Sequence, residues 1–302
     1  MVEIIKKNKK ADFVVVDKCY LKMSESDKNR KVNVYDVQSI ANMHQIIGYA
    51  KYKYRDYDVL YRGTTSLYDN VMPSLYRDLY DVDKQNEKWK KLLKTMDQLK
   101  ENKEMIAKLK LDELSDDWKK NLVVEAIIQH YGGKTTCLDV VDNIWIALWF
   151  GLNRYVEYKK KSGRYSTYET RNENGEDRDL YQFIYLFAVK DNINIRRHDV
   201  NKPTGIYSVD LREILTSIFI RPYAQHAWML KSSSPKIDKN NNYANNVIAI
   251  LRIKTNISNE WLGDGESLQQ YNLFPSPVFD YGYEFLLQYQ ESRNKNYYVR
   301  YF

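Results

Sequence analysis

A single α+β domain is what this 302-residue sequence predicts, and three observations predict it. Runs rich in β-branched and aromatic residues, such as "LYQFIYLFAV" (180–189) and "NNVIAILRIK" (245–254), read as strands. Helical periodicity is concentrated in one block rather than alternating with every strand. No internal repeat and no Pro-, Gly- or Ser-rich linker divides the chain. The expected architecture is a central, mostly antiparallel sheet with a helical insertion at about 81–131 and an N-terminal extension.

Taken in order, "ADFVVVDKCY" (11–20) has the composition of a strand. "VYDVQSIANMHQIIGYA" (34–50) reads as an amphipathic helix, with Ile40, Met43, Ile46 and Ile47 at helical spacing. "YDVLYRGT" (57–64) is a strand that ends at a glycine. Within 81–131, Trp89, Leu92, Leu93 and Met96 form one apolar stripe and Met105, Ile106 and Leu109 another; the lysines opposite them read as a solvated face. Leu122, Val123, Ala126, Ile127 and His130 share one side of a further helix, which Gly132-Gly133 stops. "TTCLDVV" (135–141) is a strand or an extended turn, and "NIWIALWFGL" (143–152), apolar all round, is a buried helix. The polar stretch 164–179 reads as a loop, a hairpin tip or a lid. "GIYSVD" and "IFIRPYA" are short strand candidates around a small helix at 209–216, and the chain closes with a short helix, the loop "LFPSPVFDYG" and a helical "YEFLLQYQES".

Composition narrows the function. Hydrophobic residues make up 43% of the chain, enough for a folded core. Gly263-Asp264-Gly265 lacks the third glycine of a dinucleotide fingerprint, and neither a phosphate-cradling G-x-x-x-x-G-K-[ST] loop nor H-E-x-x-H occurs. Two distant cysteines, Cys19 and Cys137, make no disulfide framework, and four scattered histidines indicate no metal. The N-terminal residues lack the apolar run of a signal peptide, and no stretch reaches the ~20 apolar residues of a membrane span, so a cytoplasmic location away from membranes is expected. A net charge of +7, from 47 basic and 40 acidic residues, admits a nucleic-acid partner. The Lys-, Asn- and Tyr-rich style of an AT-rich genome accounts for it equally.

Chemistry concentrates in four places. Tyr61-Arg62-Gly63 puts a five-donor guanidinium at a strand end beside a glycine turn, which suits a phosphate or a carboxylate; a structural salt bridge is the plainer reading. His130 lies at the C-terminal end of a helix, whose dipole favours the cationic ring; a hydrogen-bonded core histidine is the commoner case. Glu125 and Gln129 are four apart on one helix face, and Glu125 could accept from Gln129 or Arg62. Asp139 is a carboxylate inside an apolar strand, so it is paired, caps the next helix or acts on a ligand; Asn143 competes with it for the cap. Gln225 and His226 form a polar cluster near Arg221 and Tyr223, either completing a site or belonging to an ordinary loop.

These segments, in order and spacing, resemble the FRG domain, named for a Phe/Tyr-Arg-Gly motif. "LYRG" (60–63) matches the name motif, "VMPSLYRD" (71–78) resembles the segment that follows it, and "EAIIQHYGGKTTCLDVVDNIWIALWF" (125–150) resembles the family hallmark. "IRPYAQHAWML" (220–230) and "NLFPSP" (272–277) resemble the later elements. The resemblance covers about 35–288, leaving 1–34 as the extension and 289–302 as a C-terminal tail. The chain departs from the pattern at Gly133-Lys134, where the family has Leu-Pro after the glycine. It departs again at Thr136 for the Arg, Cys137 for the first Leu, and Val140 and Val141 for Trp and Thr. The resemblance implies a bacterial or phage conflict setting, either toxin or defence, with an antitoxin or phage protein as partner. A weaker analogy runs to ADP-ribosyltransferases: Arg62, then Thr135–Asp139 leading into "IALWFG", then Gln225, without their late glutamate.

Three functions follow as expectations. The first is an enzyme that consumes NAD, with His130, Asp139 and Gln225 catalytic and with Tyr61, Arg62, Gly63, Gln129, Tyr131, Thr135 and Asn143 holding NAD or a nucleotide. The second is a nucleic-acid binder or nuclease-like effector, drawing on the charge and 27 tyrosines. The third is a non-catalytic sensor of a nucleotide or phage protein using the same pocket.

Overall fold

A computed structural model describes residues 14–23, 29–77, 79, 81–160, 163–171, 180–197, 200–235, 242–292, 299–300 and 302. In chain order the strands are β1 (Val14–Leu21), β2 (Arg30–Asp36), β3 (Asp58–Thr64), β4 (Leu138–Val141), β5 (Asn153–Lys160), β6 (Gly163–Thr170), β7 (Tyr181–Val189), β8 (Asp191–Asn192), β9 (Ile206–Asp210), β10 (Ala227–Ser232) and β11 (Val247–Lys254). The helices are α1 (Ile40–Lys53), α2 (Val82–Lys100), α3 (Lys103–Leu109), α4 (Asp117–His130), α5 (Ile144–Leu152), α6 (Leu211–Ile214), α7 (Arg221–Ala224), α8 (Thr255–Trp261), α9 (Gln270–Leu273) and α10 (Tyr281–Ser292). Nine strands make one sheet in the order β1-β2-β11-β7-β3-β4-β10-β9-β8, and β5 and β6 form a separate hairpin. Only β2–β11 and β8–β9 are parallel pairs. The molecule is a single α+β domain with a mostly antiparallel sheet.

Strand alternation sends side chains to two opposite layers. On one face Val59, Tyr61, Ile184, Leu186, Ala249 and Leu251 pack with α1, α5 and α8. On the other, Leu60, Tyr185, Phe187, Val189 and Ile250 pack with α2, α3 and α4. Burial on both faces explains why β7 and β11 are near-continuous apolar runs.

Helix boundaries follow caps. Ser39 accepts from Asn42 N at 3.2 Å, so α1 begins at Ile40 and Val34–Asp36 belongs to β2 instead. Met43, Ile46 and Ile47 are buried as the spacing predicts, whereas Ile40 in the first turn is exposed. The helical insertion is three helices. Asp81 caps α2, Asn102 caps α3, and Lys110 in the left-handed region ends α3. In α4 every residue from Leu122 to Gln129 is buried, more than the one-sided stripe predicts, because α2 covers the side turned from the sheet.

Three local expectations change. The stretch 164–179 is not simply a loop: Gly163–Thr170 is β6, paired with β5 from Asn153↔Thr170 to Lys160↔Gly163, while 172–179 lies outside the described residues. "IFIRPYA" is no strand, because Pro222 sits in the first turn of α7, where its fixed φ favours a helix. The strand lies just downstream as β10, after His226 takes a left-handed φ of 47°. The extension read at 1–34 contains β1 and the start of β2, which belong to the main sheet. Among the described residues no helix is long and apolar enough to cross a membrane.

Candidate functional site

The site begins where two neighbouring strands part. β3 and β4 run antiparallel but pair only at Tyr61↔Val141. Beyond that pair the ladder stops, and a cavity of about 450 Å³ opens beside it, lined by Arg62, Gly63 and Thr64 of β3 and by Leu138, Asp139 and Val140 of β4. Arg62 spans the gap: its Nη1 donates to the Asp139 carbonyl oxygen at 2.6 Å, where a backbone N–H would otherwise bond. Gly63 has no positive φ; it is needed because a β-carbon there would sit 1.8 Å from the Ala147 carbonyl oxygen of α5. Its role is therefore close helix–strand packing rather than a turn.

Gln129, His130, Asp139 and Gln225 all line this cavity with Arg62. Gln129 is held at its oxygen by the Thr135 hydroxyl and donates Nε2 to Asp139 Oδ2 at 2.5 Å. Thr135 Oγ1 also accepts from Cys137 N at 3.1 Å, so the turn after Gly133 is knotted to the Gln129 amide. The Asp139 carboxylate accepts nothing else from the described residues. It is open to the cavity yet surrounded by protein, and that burial raises its carboxyl pKa against the opposing pull of Arg62, Gln129 and Arg300.

His130 behaves differently from the expectation set by its helix terminus. Its pKa falls from the usual 6.5 to about 3, through burial first and the adjacent Arg221 charge second. Its Nε2 is buried without a hydrogen-bond partner among the described residues. Local desolvation outweighs the helix dipole, worth only about 0.3–1 kcal/mol, so the ring is neutral at physiological pH.

Other expected residues stand outside the cavity or are committed to the fold. Asn143 caps α5 by accepting from Trp145 N at 2.9 Å, which leaves Asp139 to the site. Tyr131 is buried and donates to Asp280 Oδ2 at 2.8 Å, and Thr135 acts through Gln129. Tyr61 borders the cavity and packs in the core layer of α1 and α5 with Val141 and Ala147, which also line it. Gln225 gives its Nε2 to the Leu273 carbonyl at 2.8 Å, tying α7 to α9. Glu125 pairs with neither Gln129 nor Arg62: it accepts from Thr136 N at 3.0 Å and forms a 2.7 Å ion pair with the deeply buried Lys231. His226 pairs with Asp142 at 3.0 Å, away from the cavity lining.

The rest of the wall was not read from sequence. Phe150, Tyr155, Tyr168, Phe274 and Phe302 make an aromatic side. Tyr168 and Phe274 stack at 5.2 Å between centroids, and Phe302 lies 4.3 Å from Phe274. Arg77 and Arg300 add two cations to Arg62, and Arg300 sits over the Tyr155 ring at 4.7 Å. None of these three arginines forms a salt bridge among the described residues. Asp69, the other carboxylate of the lining, is paired with Lys22 at 2.9 Å. Arg77, Phe150 and Phe274 lie within the segments that carry the resemblance without being singled out there, and Tyr155, Tyr168, Arg300 and Phe302 come from segments outside them. No group of three or more His, Cys, Asp or Glu among the described residues is placed to hold a metal ion.

No curated protein and no solved structure gives a match to the chain. The family model of the FRG domain matches residues 57–160. That span holds β3, α4, β4 and α5, the elements that place Arg62, Gln129, His130 and Asp139 around the cavity, and the chain thus carries an FRG domain.

Proposed function

We propose that the cavity binds a nucleotide, NAD in the first instance, and cleaves its nicotinamide–ribose bond, by hydrolysis or by transfer of ADP-ribose. The observation that carries this reading is the pairing of three arginines, free of salt bridges among the described residues, with an aromatic wall in a cavity of ligand size. Phosphates suit the arginines, and planar rings suit Tyr168 and Phe274. Among the described residues Asp139 is the one lining carboxylate without an ion pair. It would stabilise positive charge at the ribose carbon as the C–N bond breaks and nicotinamide leaves with the bonding electrons. An incoming water or acceptor then bonds to that carbon and gives up its proton. The raised pKa of Asp139 suits it to receive that proton. A histidine with a pKa of about 3 is a poor base, so His130 serves as a hydrogen-bond partner instead. The conflict setting, toxin or defence, rests on the family resemblance.

The test is nicotinamide release from NAD, measured with the protein alone and with lysate, nucleic acid and nucleotides added. Release is expected, Asp139→Asn should slow it about 100-fold or more, and Arg62→Ala should weaken NAD binding. Absence of release under every condition overturns the enzyme reading. The second reading, a non-catalytic nucleotide sensor, draws on the commitment of the Gln225 amide to Leu273. It expects Arg62→Ala to abolish nucleotide binding with no turnover to lose.

A further inference from the structure

Arg221 is fully buried, and aromatic rings enclose its guanidinium. Its central carbon lies 4.4 Å from the ring centroids of both Tyr131 and Tyr283, 5.3 Å from Phe274 and 5.1 Å from Phe302. Nη1 reaches the His130 carbonyl at a long 3.5 Å, while Nε and Nη2 are buried with no hydrogen-bond partner among the described residues. Buried donors without acceptors are costly and rare. Phe274 and Phe302, two of the rings over Arg221, also line the cavity, and Phe302 is only partly buried. Phe302 lies 25° from the plane of Phe274 and 9° from that of Tyr168. It presents a flat face to the cation and no acceptor to its free donors.

We propose that Phe302 stands in the place of the ligand's base, and that this subsite takes a neutral heteroaromatic ring with acceptor nitrogens, a purine above all. Such a ring keeps the stacking on Phe274 and the contact with Arg221, and it adds acceptors for Nε or Nη2. A cationic pyridinium is disfavoured there by like charge in a desolvated setting. The inference rests on the nucleotide reading above and assigns its polarity: the adenine end goes over Arg221, and the nicotinamide–ribose end to Arg62 and Asp139. Backbone bonds and the Tyr283 hydroxyl hold the occupying segment among the described residues. Arg300 N donates to Tyr131 O at 3.0 Å, the Tyr283 hydroxyl donates to Arg300 O at 2.7 Å, and Phe302 N donates to the same hydroxyl at 3.2 Å.

The experiment compares binding of ADP and of nicotinamide mononucleotide by calorimetry, using the full chain and its Phe302→Ala and Phe302→Trp variants. Phe302 is chosen because replacing Arg221 threatens the fold. Phe302→Ala should bind ADP about tenfold more tightly, the scale of one base–aromatic contact. Phe302→Trp should bind it more weakly, and nicotinamide mononucleotide should be indifferent to both changes. Equal ADP affinity in all three proteins, weaker ADP binding by Phe302→Ala, or no ADP binding by that variant overturns the proposal. The enzyme reading fails separately: this ADP pattern without nicotinamide release leaves the subsite standing. Nicotinamide release that is unaffected by saturating ADP and equal in all three proteins removes the subsite and leaves the enzyme.

Discussion

His130 shows how much a single residue's surroundings decide. The unfolded chain binds a proton at this ring near the ordinary 6.5, whereas the folded chain resists it down to about 3. A depressed folded pKa contributes stability that is present above about 6.5 and lost as pH falls toward about 3, because only the unfolded state takes up the proton. Urea midpoints measured from pH 7 to pH 4 should therefore fall more steeply for the native chain than for His130→Gln; parallel curves would show that His130 carries no such linkage. The histidine itself was legible in the sequence, as were Arg62, Gln129 and Asp139, because their motifs lie within short stretches. Its charge state was not, since Arg221 is 91 residues away and burial is a property of the packed molecule. The choice between Asp139 and Asn143 as cap was equally undecidable until Trp145 N chose Asn143.

Of the β5–β6 hairpin the sequence offers only the polar stretch 164–179, a loop, hairpin tip or lid, because the residues alternate aromatic and charged without an apolar run. Thr167 Oγ1 and Tyr168 N of the hairpin donate to Gln270 Oε1, and a side chain just past its end also docks it. Arg171 is 5% exposed, and its guanidinium donates to four carbonyls: Gly151 at 2.8 Å, Leu152 at 3.2 Å, Thr65 at 2.9 Å and Tyr181 at 3.1 Å. It thus joins the ends of α5, β3 and β7 to the hairpin that carries Tyr155 and Tyr168 into the cavity. Arg171→Met keeps the aliphatic stem but strands those acceptors, at about 1–3 kcal/mol for each one left buried and dry. The hairpin should then loosen before the sheet does. Limited proteolysis should cut the variant between residues 153 and 170 while the remainder persists, and nucleotide binding should weaken with it. Protection equal to the native chain would show that the pairing of β5 with β6 suffices.

At the scale of the molecule, the sheet runs without interruption from β1 to β8. The strands toward the N-terminus close one edge of it. β2 pairs in parallel with β11 at Ile250↔Val34 to Arg252↔Asp36, and Arg252 Nε meets Asp36 Oδ1 at 3.0 Å. Cys19, Leu21, Val32, Val34 and Tyr35 are all buried, the last in the core layer of α1 and α5 and the others in the opposite one. Burying an aliphatic or aromatic side chain is worth about 1.5–3 kcal/mol as an upper estimate. The four aliphatic or aromatic residues among them amount to much of the about 5–15 kcal/mol by which a domain is stable. Removing residues 1–36 would also leave β11 as a bare edge of eight residues, a template for intermolecular pairing. The shortened chain should therefore melt at a much lower temperature or aggregate, as read by circular dichroism and light scattering. If it instead remains monomeric and melts with the full chain, β1 and β2 are an appendage and the core is complete without them. The pattern of "ADFVVVDKCY" tells of a strand, but not of its place: its antiparallel partner β2 joins the sheet through a parallel pairing with β11 more than 200 residues away, and no local periodicity records such a pairing.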